Sequence, residues 1–276
     1  MQICPMLTKA IKILRAIFTN PAVLLRVLQP TESEARIRVQ QKYKINEGLN
    51  CISIFDLIEN QNASHVPLYT ASGGGSMLTD YYLLLILANT FKCKTYFEIG
   101  TWRGESAANV APFVEQVYSL NLDDANLLNR GSSPEYVAQI GMLCKSLANV
   151  TLLKGDSTQF DLGPYYNQCD LIFIDGDHNY TTLVQDTQNA LKLRRNPNSI
   201  IVWHDYAHEP NHIRHEVLLA ILDAVPADLH SFLYHVSNTK CAVLLNKHYP
   251  SKPFNSIAEP QNAFHVTLRP ISLDGK

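Results

Sequence analysis

The chain has 276 residues, 46% of them hydrophobic and 17% charged, and this balance excludes a disordered or low-complexity protein. Lysine and arginine number 23 against 25 aspartates and glutamates, which argues against binding nucleic acid through a global positive field. The six cysteines are too widely spaced for a zinc ribbon or a C-x-x-C redox site, so we expect a reduced, cytoplasmic protein.

Residues 1–75 are predicted to form a basic, helical extension that ends in a glycine-rich linker. Eight basic and two acidic side chains give residues 1–45 a charge of +6. The apolar side chains of Leu7–Phe18 share one helical face, which packs on the main domain, on a second subunit or on an anionic membrane surface. Homo-oligomer formation and peripheral contact with the inner membrane surface are both open. A short helix is predicted over Ser53–Glu59, and the glycines of 72–76 form a linker or a lid.

Residues 76–246 alternate between helix and strand patterns, which predicts an α/β domain with helices on both faces of its sheet. The predicted helices are Leu78–Phe91, Glu105–Val114, Pro134–Leu147, Tyr180–Arg194 and Ile213–Ala224. The predicted strands are Thr95–Ile99, Gln116–Leu120, Val150–Leu153, Asp170–Ile174, Ser199–Trp203, Ser231–Val236 and Cys241–Leu245. We expect a Rossmann-like doubly wound sheet, mostly parallel with an antiparallel last strand, and a C-terminal tail over 247–276.

Acidic side chains stand at or directly after the ends of four predicted strands. They are Glu98, Asp156, Asp175, Asp177 and Asp205. Ligands of such sheets bind beyond the carboxyl ends of the strands, so we expect these residues to gather along one edge. An acidic edge repels a pyrophosphate, whereas it suits ribose hydroxyls, a sulfonium or a divalent cation.

The turn after the first strand of this domain reads Glu98-Ile99-Gly100-Thr101-Trp102-Arg103-Gly104, an E-x-G-x-x-x-G pattern. It lacks the third glycine of nicotinamide-binding enzymes, which disfavours an oxidoreductase. Together with Asp175-Gly176-Asp177-His178-Asn179-Tyr180 and Trp203-His204-Asp205-Tyr206, the turn resembles class I S-adenosylmethionine-dependent methyltransferases that carry a D-G-D-H-x-Y signature. The run from Leu78 to Leu245 is also similar to metal-dependent O-methyltransferases that act on sugar hydroxyls of natural products.

This resemblance implies that S-adenosyl-L-methionine is the cofactor. The residues expected to bind it are Glu98, Gly100, Thr101, Gly104, Asn121, Asp156, Ser157 and Asp175. Asn121 stands where the relatives carry the acid that holds the ribose hydroxyls, so we expect weakened cofactor binding. Asp123, two residues further along the chain, is the alternative acid.

The resemblance also implies a divalent metal, magnesium or manganese, held by Asp175, His204 and Asp205. His204 replaces a carboxylate of the relatives, and manganese, iron and zinc accept nitrogen more readily than magnesium does. A different metal, a set without His204 and a metal-free enzyme all remain open. Asp177 and His178 are the candidates for the base that takes the proton from the acceptor hydroxyl.

The leading interpretation is an enzyme that O-methylates a hydroxyl of a sugar or of a glycosylated small molecule. A hydroxylase-like relative that holds iron at Asp175, His204 and Asp205 is the alternative enzyme class. A catalytically degenerate methyltransferase-fold scaffold, suggested by Asn121, is the non-enzymatic alternative.

Overall fold

The computed structural model describes residues 29–58, 68–71, 75–257 and 263–270. The predicted helix Leu7–Phe18 and two of the three linker glycines lie outside these residues. The α-helices are α1 (Glu32–Arg38), α2 (Leu78–Thr90), α3 (Glu105–Val110), α4 (Asp124–Asn129), α5 (Pro134–Ala138), α6 (Tyr180–Leu193) and α7 (His215–Ala224). No helix among the described residues combines the length and the apolar character that crossing a bilayer requires.

Eight strands form the main sheet and two more form a hairpin. They are β1 (Cys51–Ile52), β2 (Thr95–Ile99), β3 (Gln116–Asn121), β4 (Val150–Lys154), β5 (Leu171–Ile174), β6 (Ile200–Trp203), β7 (Ala207–Glu209), β8 (His212–Ile213), β9 (Leu233–Val236) and β10 (Ala242–Leu244). The main sheet has the order β1-β9-β10-β6-β5-β2-β3-β4, and β7 pairs with β8.

Only β10 runs against its neighbours in the main sheet, pairing antiparallel with β6 and β9. The other strands pair in parallel. The predicted mostly parallel, Rossmann-like sheet with an antiparallel last strand is therefore confirmed. The direction in which the strand order progresses reverses between β2 and β5, and open α/β sheets bind their ligands at such a reversal.

Apolar side chains cover both faces of the sheet. On one face, α2 and α3 pack with residues such as Tyr96 and Phe173, which are almost completely buried. On the other, α1, α6 and α7 pack with Phe97 and Trp203. The Trp203 indole N–H donates to the Thr187 hydroxyl of α6 at 2.9 Å, so its only polar atom is satisfied inside the core.

Several predicted helices are wrong in length. The helix predicted over Pro134–Leu147 is helical only to Ala138, because Gly141 turns with φ +68° and donates its N–H to the Trp102 carbonyl. The helix predicted over Glu105–Val114 becomes a 3-10 turn from Ala111 onward, at a proline that cannot donate a helical hydrogen bond.

The remaining corrections concern shorter segments. The helix predicted over Ile213–Ala224 begins only at His215, because Ile213 pairs with Ala207 in the β7–β8 hairpin. The described part of the predicted helix Ser53–Glu59 is a 3-10 turn over Ile54–Leu57. The closing strands are shorter than predicted but pair as expected, and α4 falls in a stretch predicted to be a loop.

The described part of the N-terminal extension packs against the main sheet. Strand β1 adds a parallel edge to β9, and α1 buries Ala35 and the following turn buries Val39 in the core. Asp223, near the end of α7, accepts hydrogen bonds from Lys42 and Tyr43. The domain boundary near residue 75 stays a prediction. Residues 32–52 pack against the sheet formed by the residues that follow.

Candidate active site

Three neighbouring strands bring their carboxyl ends together at one cavity. The turn after β2 begins where Gly100 donates its N–H to the Leu120 carbonyl, and Asp175 after β5 donates its own to Ile99. His204 after β6 donates its N–H to the Ile174 carbonyl at 3.0 Å. This ladder places Asp175, His204 and Asp205 beside the turn that opens α3.

The cavity has a volume of about 340 Å³, and most of the residues that line it carry polar side chains. The residues that line it are Gly75, Ser76, Tyr81, Thr101, Trp102, Glu105, Ser106, Asp175, His204 and Asp205. Trp102 contributes an aromatic wall and stacks on Tyr136 with ring centroids 4.2 Å apart. The end of the predicted linker is thus part of the cavity wall, because Gly75 and Ser76 line it.

The buried side chain of His204 lies between the carboxylates of Asp80, Asp175 and Asp205. Its Nδ1 is 2.9 Å from Oδ1 of Asp175 and 3.3 Å from Oδ1 of Asp205, while its Nε2 is 3.1 Å from Oδ2 of Asp80. Burial by itself lowers the pKa of His204, but the negative charge of Asp175 and the hydrogen bond and charge of Asp80 raise it to about 10. The three residues predicted to hold a metal are therefore adjacent, and their ligand atoms lie within 4.8 Å of one another.

Asp205 is the most heavily contacted acid of the site. Its carboxylate lies 2.9 Å from Nε2 of His178 and 2.7 Å from Nζ of Lys240. Burial alone raises its pKa, yet the His178 hydrogen bond, the charge of His204 and the Lys240 hydrogen bond hold the pKa well below its usual range. Asp205 also has a φ of +51°, a strained conformation of the kind found at functional sites.

The two predicted bases point in different directions. His178 reaches the cavity through its contact with Asp205. Asp177 is exposed, and its carboxylate accepts a hydrogen bond from the backbone N–H of Asn179 at 3.1 Å. Neither residue belongs to the lining itself, and only His178 contacts a residue that does.

Glu98 lies behind the cavity wall. Its carboxylate is completely buried and accepts hydrogen bonds from the hydroxyls of Tyr96, Ser106 and Ser119 at 2.6–2.7 Å. Burial raises its pKa to about 7 despite these donors. Glu98 therefore supports the wall through Ser106, which lines the cavity.

The predicted ribose and adenine contacts lie outside the cavity lining. The side-chain oxygen Oδ1 of Asn121 accepts a hydrogen bond from the Thr101 N–H at 3.3 Å and so stabilises the turn after β2. Asp123, the alternative acid, caps α4 by accepting the Asn126 N–H at 2.9 Å. Asp156 accepts hydrogen bonds from Thr158 and Arg130, and Ser157 follows it.

Besides Trp102 and Ser106 of the lining, further residues complete the site without having been predicted. Asp80 and Tyr81 come from α2, Glu105 opens α3, and Lys240 precedes β10. Lys240 bridges Asp205 and the Gly75 carbonyl at 2.7 and 2.8 Å. Asp80 could have been predicted, because it is an acid in an otherwise apolar helix sequence. The sequence around Lys240 is that of an ordinary turn and gives no such indication.

Asp186 on α6 is a second buried acid near the strand ends. It is completely buried, and neither carboxylate oxygen has a partner at hydrogen-bond geometry. Burial raises its pKa to about 7, and the charges of Asp156 and Asp177 add to this shift. In the folded state the neutral carboxylic acid is therefore favoured below about pH 7.

Several solved structures are similar to this chain at low identity. A putative O-methyltransferase from Klebsiella pneumoniae is 20% identical over 70% of this chain and 90% of that chain, with a TM-score of 0.42. The O-methyltransferase from Bacillus cereus in complex with SAH is 17% identical over 65% and 84%, with a TM-score of 0.42. A putative caffeoyl-CoA O-methyltransferase from Staphylococcus aureus is 14% identical over 64% and 84%, with a TM-score of 0.41.

A family model described as a methyltransferase domain matches residues 97–206. No curated protein matches the sequence. The matched stretch runs from within β2 to just beyond β6 and contains every site residue predicted from the sequence. This stretch is therefore similar to a methyltransferase domain, while Asp80 and Lys240 lie outside it.

Proposed function

We propose that the protein is an S-adenosylmethionine-dependent methyltransferase that acts on a hydroxyl of a sugar or of a glycosylated small molecule. The observation that carries this proposal is the cavity of about 340 Å³ at the ends of β2, β5 and β6, most of whose lining residues belong to the stretch that matches a methyltransferase domain. S-adenosylmethionine, when bound, supplies a methyl group on a positively charged sulfur.

The cavity wall fits such a cofactor. Asp175, Asp205 and Glu105 line it, and carboxylates in a partly enclosed site attract a cationic sulfonium. Gly100 has a φ of +103°, and an added Cβ would lie 2.0 Å from the Asp175 carbonyl oxygen. This close approach of two strand ends requires glycine, and it fixes the position of Asp175 in the cavity wall.

His178 is the base in this proposal. Its Nε2 contacts the Asp205 carboxylate at 2.9 Å, which orients the ring and stabilises the imidazolium formed when it takes a proton. Its other ring nitrogen, Nδ1, would take the proton of the acceptor hydroxyl. Asp177 is the less suitable base, because its carboxylate is exposed and engaged by Asn179.

Asp175, His204 and Asp205 would hold a divalent metal, and this donor set fits a cation. Nδ1 of His204 is buried without a hydrogen-bond partner, although two carboxylates stand next to it. A bound metal lowers the pKa of a hydroxyl that coordinates it and so assists the base. The hydroxylase alternative uses the same three residues, and oxygen consumption with ferrous iron distinguishes it.

Calorimetric titration with S-adenosylhomocysteine tests the cofactor, and transfer of a radiolabelled methyl group to a panel of methyl glycosides tests the reaction. We expect micromolar binding and transfer to oxygen. His178→Gln should lower kcat by about 10²–10⁴-fold while S-adenosylhomocysteine still binds, whereas Asp177→Asn should lower it less than about tenfold. If S-adenosylhomocysteine does not bind even at millimolar concentration, the methyltransferase proposal is rejected and the catalytically inactive scaffold is favoured.

A further inference from the structure

Asp80 is a buried carboxylate to which the proposed reaction gives no role. It lies in the first turn of α2 and is 1% exposed. One oxygen accepts the Met77 N–H at 2.6 Å and faces Nε2 of His204 at 3.1 Å, while the other accepts the Lys240 N–H at 2.9 Å. Asp80 therefore ties the start of α2 and the turn before β10 to the histidine of the site.

The opposite edge of the same imidazole faces the cavity. The His204 side chain is 2% exposed, and its Nδ1 stands between Asp175 and Asp205. Both carboxylates are close, but neither accepts a hydrogen bond from Nδ1 at acceptable geometry. A ring nitrogen buried beside two carboxylates without a hydrogen bond is arranged as a metal ligand is.

The hydrogen-bond partner of Nε2 determines whether Nδ1 can present a lone pair to a cation. A carboxylate only accepts hydrogen bonds, so Asp80 keeps a proton on Nε2 of His204. With that proton in place, a cation that displaces any proton from Nδ1 meets a nitrogen lone pair. Histidines that bind metals commonly donate their other ring N–H to a carboxylate, and removal of that carboxylate weakens metal binding about 10–100-fold.

We infer that Asp80 is a positioning residue that presents Nδ1 of His204 to a divalent cation, which makes the site one of one nitrogen and two carboxylates. This inference rests on the proposed function, because the cation would serve the same reaction. Such a donor set prefers cations that accept nitrogen, such as Co²⁺ or Zn²⁺, over Mg²⁺.

The test compares cobalt and magnesium binding by calorimetry in the full-length wild type, in Asp80→Asn and in the control Asp56→Asn, which removes an exposed acid. We expect the wild type and Asp56→Asn to bind Co²⁺ at least about tenfold more tightly than Mg²⁺. Asp80→Asn should weaken Co²⁺ binding about 10–100-fold, change Mg²⁺ binding less than about threefold, and alter the visible spectrum of bound cobalt. A parallel loss for both cations would indicate a purely structural role and overturn the inference.

A measurement on the wild type alone covers the case in which Asp80→Asn does not fold. A nitrogen–proton correlation spectrum of the zinc-loaded protein should show His204 with a proton on Nε2 and none on Nδ1. The opposite tautomer would overturn the inference. Titration of the same samples with S-adenosylhomocysteine separates the two proposals: cofactor binding without cation binding refutes the role of Asp80 and leaves the cofactor assignment standing.

Discussion

The turn at Gly100 makes a sharp prediction about how tightly two strand ends must approach. In Gly100→Ala, the new Cβ would lie 2.0 Å from the Asp175 carbonyl oxygen and 2.5 Å from its carbon. Ordinary contact begins at 3.4 Å, so the loop that carries Asp175 must retreat by about 1.4 Å. That retreat strains the hydrogen bond from the Asp175 N–H to the Ile99 carbonyl, now 2.8 Å long.

The magnitude follows from three contributions. An alanine at positive φ costs about 1–2 kcal/mol, a lost backbone hydrogen bond about 1 kcal/mol, and the forced displacement about 1–3 kcal/mol. Gly100→Ala should therefore lower the free energy of unfolding by about 3–6 kcal/mol. Gly131→Ala is the matched control, because Gly131 has a φ of +94° with nothing within 4 Å of an added Cβ, and it should lose only about 1–2 kcal/mol.

Urea denaturation measures both free energies, and calorimetry with S-adenosylhomocysteine measures the effect on the site. We expect Gly131→Ala to bind like the wild type and Gly100→Ala to bind at least about tenfold more weakly, because the displaced loop carries Asp175. Equal losses of stability in the two variants would refute the close-approach argument. Unchanged binding by a folded Gly100→Ala would refute the location of the cofactor.

Three further predictions concern single side chains. The pKa of Asp186 rises from 3.8 in the unfolded chain to about 7 in the folded protein, so its contribution to stability falls by up to about 4 kcal/mol as the pH rises between these values. Urea denaturation should therefore show that Asp186→Asn gains stability relative to the wild type between pH 4 and 8. A difference that does not change with pH would contradict this. Asn121→Asp should tighten S-adenosylhomocysteine binding about fivefold by calorimetry, since a charged acceptor gains about 1 kcal/mol over an amide, and unchanged or weaker binding would argue against a ribose contact. Asp223→Ala should lower the free energy of unfolding by about 1–3 kcal/mol, because the hydrogen-bond donors around Asp223 lose their acceptor. Asp228→Ala, which removes an exposed acid, should change it by less than about 0.5 kcal/mol. Similar values for the two variants in urea denaturation would contradict the stabilising role of the hydrogen bonds to Asp223.

The sequence alone was sufficient to predict the architecture and the edge of the sheet at which the candidate site lies. Short apolar runs alternating with helical patterns define a parallel sheet, and the glycines around Thr101 mark the turn after its first central strand. Asp175, His204 and Asp205 follow strand ends directly, so their proximity follows from the parallel sheet itself. Local periodicity and strand-end position are properties that a linear pattern contains.

Only the tertiary structure decided which side chains meet inside that site. Asp80 is 124 positions from His204 in the sequence, and the two meet because α2 packs on one face of the sheet. Packing between loops determines that Asp177 and His178 point in different directions. It also brings Lys240 into contact with Asp205. Such contacts are set by packing between segments that are distant in the chain, and no local pattern encodes them.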